Sequence, residues 1–428
     1  MYNDIYPNNG GRDEQPPVET SSLNGKAKIR VIGVGGAGNN AINRMIEAGI
    51  SSAEYIAVNT DAQILACNLA PHKIQLGAQR TKGLGAGADP KIGRDSAEDS
   101  KAELEKAIKD TDILFITAGM GGGTGTGAAP VIASIAREQK ILTVAVVTKP
   151  FDFEGKHRMD NAMEGIANLR KFVDTLIVIP NEKISEVVPI TATFQDSLRV
   201  ADEVLMQGIR GIAELIVTPA LINLDYADVR TILKDKGMAH MGVGVAKGEN
   251  RTVEALRLAV NSPLLDTTIE GATGIIFNVV GGPDLTLNEV RTAASLIRGV
   301  VHYSANIIVG ACIDPGIDND EVEVTVIATG FPPAAEDDGA INKNAPAPQP
   351  QTVSSATPRY SSILSQMQAQ KQQEQAAAVP AASQQPVAPA PDPEPEQEIE
   401  IEEEDETLSA EKDRKLPAFV QRLLKNKK

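Results

Sequence analysis

The sequence predicts an α/β protein with a doubly wound parallel sheet, a long central helix, a second smaller α/β domain, a disordered linker and a short terminal peptide. Three observations carry this. Apolar runs of strand length alternate with helical patterns between Ile29 and Ile179, the signature of βαβ units. A single apolar face then continues from Leu198 to Ile216. From Phe331 onward the texture changes to Pro, Ala, Gln and Ser. The length, 428 residues, also exceeds what one core usually holds.

In order, Ile29–Val34 reads as a buried strand leading into a helix near Asn39–Ala48, followed by strands Tyr55–Asn59 and Ile74–Leu76. A Gly-rich loop Gly83–Ala88 precedes a Glu- and Lys-rich helix Lys91–Lys109. Strand Ile113–Thr117, helix Gly127–Glu138, strand Ile141–Val147, helix Arg158–Phe172 and strand Leu176–Ile179 complete the first sheet. Leu198, Ala201, Val204, Leu205, Ile209, Ile212, Leu215 and Ile216 mark the long helix, which at 1.5 Å per residue spans roughly 30 Å. Beyond it come strand Gly242–Ala246, helix Val253–Val260, strand Gly274–Val280, helix Leu287–Gly299 and strands Ile307–Cys312 and Val322–Ala328. The expected divisions are an arm 1–27, a nucleotide-binding domain 28–195, the connecting helix 196–217, a second domain 218–330, a linker 331–412 and a terminal peptide 413–428. The linker composition cannot bury enough apolar surface to offset the entropy of ordering.

The formal charge of −16 is local in origin. Asp392, Glu394, Glu396, Glu398, Glu400, Glu402, Glu403, Glu404, Asp405 and Glu406 supply ten negative charges in one stretch, leaving the rest mildly acidic. No nucleic-acid partner is expected. Cys67 and Cys312 lie far apart in no CxxC spacing, which suits a reducing cytoplasm and reads as two small core hydrophobes. Met1–Asn24 lacks the pattern of a signal peptide, and runs such as Ile141–Val147 fall short of a membrane span. Any membrane contact is therefore expected to be indirect.

The chemistry lies in glycine. Gly33, Gly35, Gly36, Ala37, Gly38, Asn39 and Asn40 follow a strand and open a helix, so backbone N–H groups can approach a phosphate at the positive helix end. This run alone fits a dinucleotide fingerprint, with Asp61 at the next strand's end available for a ribose hydroxyl. A second cradle follows strand Ile113–Thr117: Gly119, Met120, Gly121, Gly122, Gly123, Thr124, Gly125, Thr126 and Gly127. A dinucleotide needs one such turn. Two, with a third loop at Gly83, Gly85, Ala86 and Gly87, point to a triphosphate gripped from several sides. No P-loop lysine motif occurs, so peptide dipoles and Mg²⁺ brought in with the nucleotide must neutralise the charge.

The run Gly119–Gly127 resembles the signature of the tubulin/FtsZ family of GTPases. The resemblance extends over about Lys28–Thr329 and includes Val58–Gln63, Lys82–Gly87, Pro150–Gly155 and Asn223–Asp228. It implies a GTP- and GDP-binding cell-division protein that assembles head to tail and works in the cytoplasm at mid-cell, under the membrane. It further implies that Gly36–Asn40 and Gly123–Gly125 hold phosphates, with Ala86 and Gly87 near the γ-phosphate. Glu154 and Arg158 would sit by the ribose and phosphates, although the residues alone read as a solvated surface pair. Asn181 and Asp202 would read the guanine edge, where a carboxylate suits the N1–H and N2–H₂ donors that adenine lacks. Asn223, Asp225 and Asp228 would enter the next subunit's site. By themselves the two acids read as partners of a helix dipole, yet they follow the long helix and so lie roughly 30 Å from their own phosphate end. Members often carry an aromatic residue four positions before the guanine-reading Asp; here Leu198 stands there, with Phe194 one turn earlier.

The terminal peptide places Leu416, Phe419 and Leu423 on one helical face, opened by Pro417 and rimmed by Arg422 and lysines. It resembles the peptide by which the family binds membrane-anchoring and regulatory division proteins. Two other readings compete: a nicotinamide-dependent oxidoreductase, which leaves Gly119–Gly127 unexplained, and a tubulin-like binder without hydrolysis, which would have lost Asp225 or Asp228.

Overall fold

The computed structural model describes residues 27–331 apart from 189–192, 218–224, 263–268, 270, 302 and 315–316. Asn223, the linker and the terminal peptide with Leu416, Pro417, Phe419 and Arg422 lie outside the described residues.

The elements follow the expected alternation. They are β1 (Ile29–Val34), α1 (Gly35–Glu47), β2 (Glu54–Asn59), α2 (Ala62–Ala66), β3 (His72–Gln75), α3 (Ala78–Thr81), α4 (Pro90–Asp99) and α5 (Lys101–Ala107). Then come β4 (Ile113–Gly119), α6 (Thr124–Glu138), β5 (Leu142–Lys149), α7 (Lys156–Leu169), β6 (Thr175–Pro180), α8 (Glu182–Val187) and α9 (Phe194–Val217). The second half holds α10 (Tyr226–Leu233), β7 (Gly237–Lys247), α11 (Arg251–Val260), β8 (Gly274–Gly281), α12 (Leu287–Val300), β9 (Asn306–Ile313) and β10 (Glu321–Thr329).

Strands β1 to β6 are parallel, in the order β3-β2-β1-β4-β5-β6. Val31, paired with Tyr55 on one side and Phe115 on the other, shows why these runs are apolar throughout: both faces are covered. One face carries α1 and α9, through Ile42, Met45, Val204 and Leu205. The other carries α4 to α7, through Ala97, Leu104, Ile132 and Ile166. The sheet is thus doubly wound, and strand order reverses between β1 and β4.

Four boundaries differ from expectation for local reasons. The helix read as Lys91–Lys109 breaks at Ser100, where φ and ψ are −105° and 13°; α4 itself opens on Asp89, whose side chain accepts from Lys91 N, with Pro90 in the first turn. Helices α1 and α6 start four and three residues early, because glycines usually read as loop here form the first turn. Strand β7 runs for eleven residues, against the five expected. Its first three pair in parallel with β6, Thr175 opposite Gly237, and Ala239–Lys247 pair antiparallel with β10. Among the described residues the second domain's strands therefore continue the first sheet, giving ten strands in all, while that domain keeps its own core around Phe277, Leu256 and Leu296.

Helix α9 is the spine that was expected. Its 24 residues extend about 36 Å. Gly208 lies against Val146 of β5 and Met241 of β7, and a Cβ on Gly211 would stand 2.9 Å from Thr325 of β10, so close packing of both domains on one helix depends on those two glycines.

The reading of the cysteines is corrected. Cys67 is exposed and Cys312 partly so. Cys67 ends the five-residue α2, of which Leu65 is the buried residue, and Cys312 sits on β9, an edge strand. Among the described residues no helix is long and apolar enough to cross a membrane.

Candidate nucleotide site

The reversal between β1 and β4 opens a crevice at their carboxyl ends, where open α/β sheets bind ligands. Strand β1 runs straight into α1, and β4 reaches α6 through the short loop Met120–Gly123; neither helix has a side-chain cap at its first turn, so first-turn N–H groups are left for an anion. The three glycine-rich loops meet here. A Cβ on Gly35, which has φ of +73°, would lie 3.0 Å from Gly125 N, and one on Gly123 would lie 2.7 Å from the Ala86 Cβ. At Gly36, Gly87 and Gly122 an added Cβ would meet nothing within 4 Å. Those positions face open space, the concave side that a triphosphate would fill.

Side chains brace the cradle from behind. Gly121 N donates to Thr126 Oγ1 at 2.8 Å, and the Thr60 and Thr124 hydroxyls are 2.7 Å apart. Asn39, 1% exposed, donates to Gly33 O at 2.8 Å and accepts from Asn59 Nδ2 at 2.9 Å, so its work is to hold the first loop; Gly38 packs beside it against the Thr117 carbonyl, next to Ala37. Asp61 Oδ1 accepts from Gln63 N and Ile64 N, capping α2, while Ala62 N donates to Gly83 O. The Asp61–Ala62 backbone thus anchors the Gly83–Ala88 loop, through this bond and the Asp61–Leu84 bridge.

Glu154 and Arg158 form an ion pair at 3.0 Å, as their surface pattern suggested. Their location adds more. Glu154 Oε1 also accepts from Phe151 N at 2.9 Å, and the Arg158 carbonyl would lie 2.7 Å from a Cβ on Gly121, where φ is +102°. The pair therefore stands beside the phosphate loop.

A groove between α1 and α9 continues the crevice. It is lined by Asn40, Asn43, Arg44 and Glu47 on one side and Gln195, Leu198, Arg199 and Asp202 on the other. Each set follows the i, i+3, i+4, i+7 stripe of one helix face. Burial pushes the Asp202 carboxyl up to about 7, with Glu203 adding to the rise and Arg44 opposing it. Asn181 Oδ1 is buried without a hydrogen-bond partner among the described residues, an acceptor awaiting a donor. Leu198 is 41% exposed. Phe194 turns to Phe153, ring centroids 5.9 Å apart, and Phe153 stacks on Phe151 at 5.2 Å.

Asp225 and Asp228 are exposed in the first turn of α10, and the structure keeps them away from this crevice. The Tyr226 hydroxyl donates to Asp112 O at 3.2 Å, next to the first residue of β4. The phosphate loop begins at the last. Seven strand residues separate the two ends, about 20 Å at 3.3 Å each.

Sequence reasoning missed Thr60, Asn43, Arg44 and Arg199. Asn43 and Arg44 were legible as the i+3 and i+4 neighbours of Asn40. Thr60 lay inside the Val58–Gln63 motif, but nothing there pointed to its contact with Thr124, and Arg199 carried no signal before the helices were placed.

Residues 28–189 match the Tubulin/FtsZ family GTPase domain, and residues 237–332 match the FtsZ family C-terminal domain. Among solved structures, an empty FtsZ dimer from M. jannaschii is 49% identical, with a TM-score of 0.69 over 71% of this chain and 88% of that one. A GTPγS-bound protofilament of CetZ2 from Haloferax volcanii, 20% identical, has a TM-score of 0.61 over 72% of this chain and 94% of that one; at that identity the likeness concerns the fold alone.

Proposed function

The chain belongs to the tubulin/FtsZ family of GTPases, and from that premise we propose that it polymerises head to tail into division filaments and hydrolyses GTP at sites shared between subunits. The loop amides at Gly35–Asn40 and Gly121–Thr126 would bind the phosphates, with Ala86 and Gly87 against the terminal one. Asn181 and Asp202 would read guanine, and Glu154 and Arg158 would hold the ribose end. Mg²⁺ would come in with the nucleotide and, when bound, would supply charge for the phosphate oxygens.

Asp225 and Asp228 of the next subunit, with Asn223, would orient the attacking water and take its proton as the oxygen attacks the γ-phosphorus. The bond to the bridging oxygen breaks, and GDP and phosphate leave. A head-to-tail contact of this kind is heterologous and generates an open filament. The observation that carries this reading is the separation of Asp225 and Asp228 from the phosphate loops by the length of β4. The nicotinamide alternative is not favoured, because its single fingerprint leaves the second cradle without use.

The terminal peptide would bind membrane-anchoring and regulatory division proteins, holding filaments under the membrane at mid-cell, on the cytoplasmic side. The linker lets many tails engage together with avidity. Phosphate release measured against protein concentration tests the shared site: turnover per subunit should rise steeply above a threshold, whereas a specific activity independent of dilution would defeat the proposal.

A further inference from the structure

The groove between α1 and α9 also holds a cation, Arg199. Arg199 lies on the same stripe of α9 as Gln195, Leu198 and Asp202. Its Nε is buried and has no hydrogen-bond partner among the described residues. Across the groove Arg44 is already paired, with Glu47 at 2.9 Å. A buried N–H without an acceptor carries the full cost of its lost hydration, so an acceptor supplied by a ligand would remove that penalty.

Guanine offers such a partner. Its N1–H and N2–H₂ donors suit a carboxylate, but its O6 and N7 acceptors do not. A guanidinium fork matches O6 and N7 with two parallel hydrogen bonds. Adenine places an amino group where O6 stands, so the same fork would reject it. Leu198 makes this contact matter, because a leucine provides no flat ring to fix the plane of the base.

We propose that Arg199 is a second guanine-reading residue, donating to O6 and N7 while Asp202 faces N1–H and N2–H₂. This rests on the reading that the base lies in the groove. The test is calorimetric titration of the nucleotide-free full chain with GDP and with 7-deaza-GDP, in which a C–H replaces N7. Arg199→Met, which keeps the aliphatic stem, should weaken GDP binding about tenfold or more, and the wild-type penalty for 7-deaza-GDP should vanish in it. Arg199→Lys, a second variant should the first not fold, should lose affinity to a smaller extent. Full affinity in the lysine variant, or an equal 7-deaza penalty in wild type and Arg199→Met, would overturn the proposal. If Asp202→Asn weakens binding and Arg199→Met does not, the groove reading stands and Arg199 is excluded. If neither substitution changes GDP affinity, the base lies elsewhere and both readings fall.

Discussion

The Tyr226 hydroxyl donates to the carbonyl of Asp112 at 3.2 Å, fastening the first turn of α10 to the amino end of the central strand β4. The attachment is extended on both sides. Arg230 donates to the Tyr226 hydroxyl at 2.9 Å, and the Asp112 carboxylate accepts from Lys28 N at 2.8 Å, just before β1. Asp225 and Asp228 therefore stand on a platform built from the sheet that carries the phosphate cradle at its other end.

Removing the hydroxyl loosens that platform without touching the cradle. Tyr226→Phe should cost about 0.5–1.5 kcal/mol of stability, leave GDP affinity unchanged and slow assembled GTP hydrolysis. A variant with wild-type turnover would mean that the platform needs no such anchor.

Asp225→Ala and Asp228→Ala should each bind GTP and assemble, yet hydrolyse poorly. Mixing is the sharper measurement. An Asp225→Ala subunit should depress the activity of wild-type neighbours beyond its own fraction, and strictly proportional loss would indicate a self-contained site.

Asp202 makes binding depend on pH. Guanine recognition needs the carboxylate, while burial holds the empty-site group near 7. Binding must then release a proton, so the GDP dissociation constant should rise about tenfold for each pH unit below 7. The sign for folding is opposite. The folded pKa lies above the ordinary 3.8, so this group's stabilising contribution is present below about 4 and is lost as pH rises through 7. Unfolding of the nucleotide-free protein, followed from pH 5 to pH 8, should show that loss, and Asp202→Asn should flatten both dependences.

Gly121→Ser forces a side chain into φ of +102° and toward the Arg158 carbonyl, which costs about 1–3 kcal/mol and should lower both thermal stability and nucleotide affinity. Thr124→Ala leaves the backbone conformation open to the new residue while removing the hydroxyl contact with Thr60 and one methyl group. It should weaken GTP binding with little change in melting temperature, so comparing the two by melting and titration separates loop strain from lost donors.

Deleting Leu416–Lys428 should leave GTPase activity and assembly nearly intact but abolish recruitment to an anchor protein, with Phe419→Ala producing most of the effect. Division-site localisation of the truncated protein, or loss of its GTPase activity, would contradict the tail's role.

The alternation of strands and helices, the long apolar face of α9 and the order of the glycine-rich loops were legible in the residues, because each is a local pattern of period, bulk or backbone freedom. So was the family resemblance, since its motifs are contiguous. The first turns of α1 and α6 were not, because glycine propensity opposes a helix that the flanking strands and close packing nevertheless impose. Cys67 and Cys312 misled for a related reason: cysteine's usual burial says nothing about a short surface helix or a sheet edge.

The sequence by itself, through its motifs and the family resemblance they carry, marked the candidate residues: three loops able to wrap phosphate, a carboxylate on the long helix and a pair of acids beyond it. The length of the long helix put the acids roughly 30 Å from the phosphate end, but only the tertiary structure decided the arrangement, which sets them off by the length of β4, about 20 Å. Packing against β4 and α9 brings the loops and Asp202 to one crevice and holds Asp225 and Asp228 at the far end of the same strand. Such separations come from strand lengths and helix packing summed over many residues, and no local pattern records that sum.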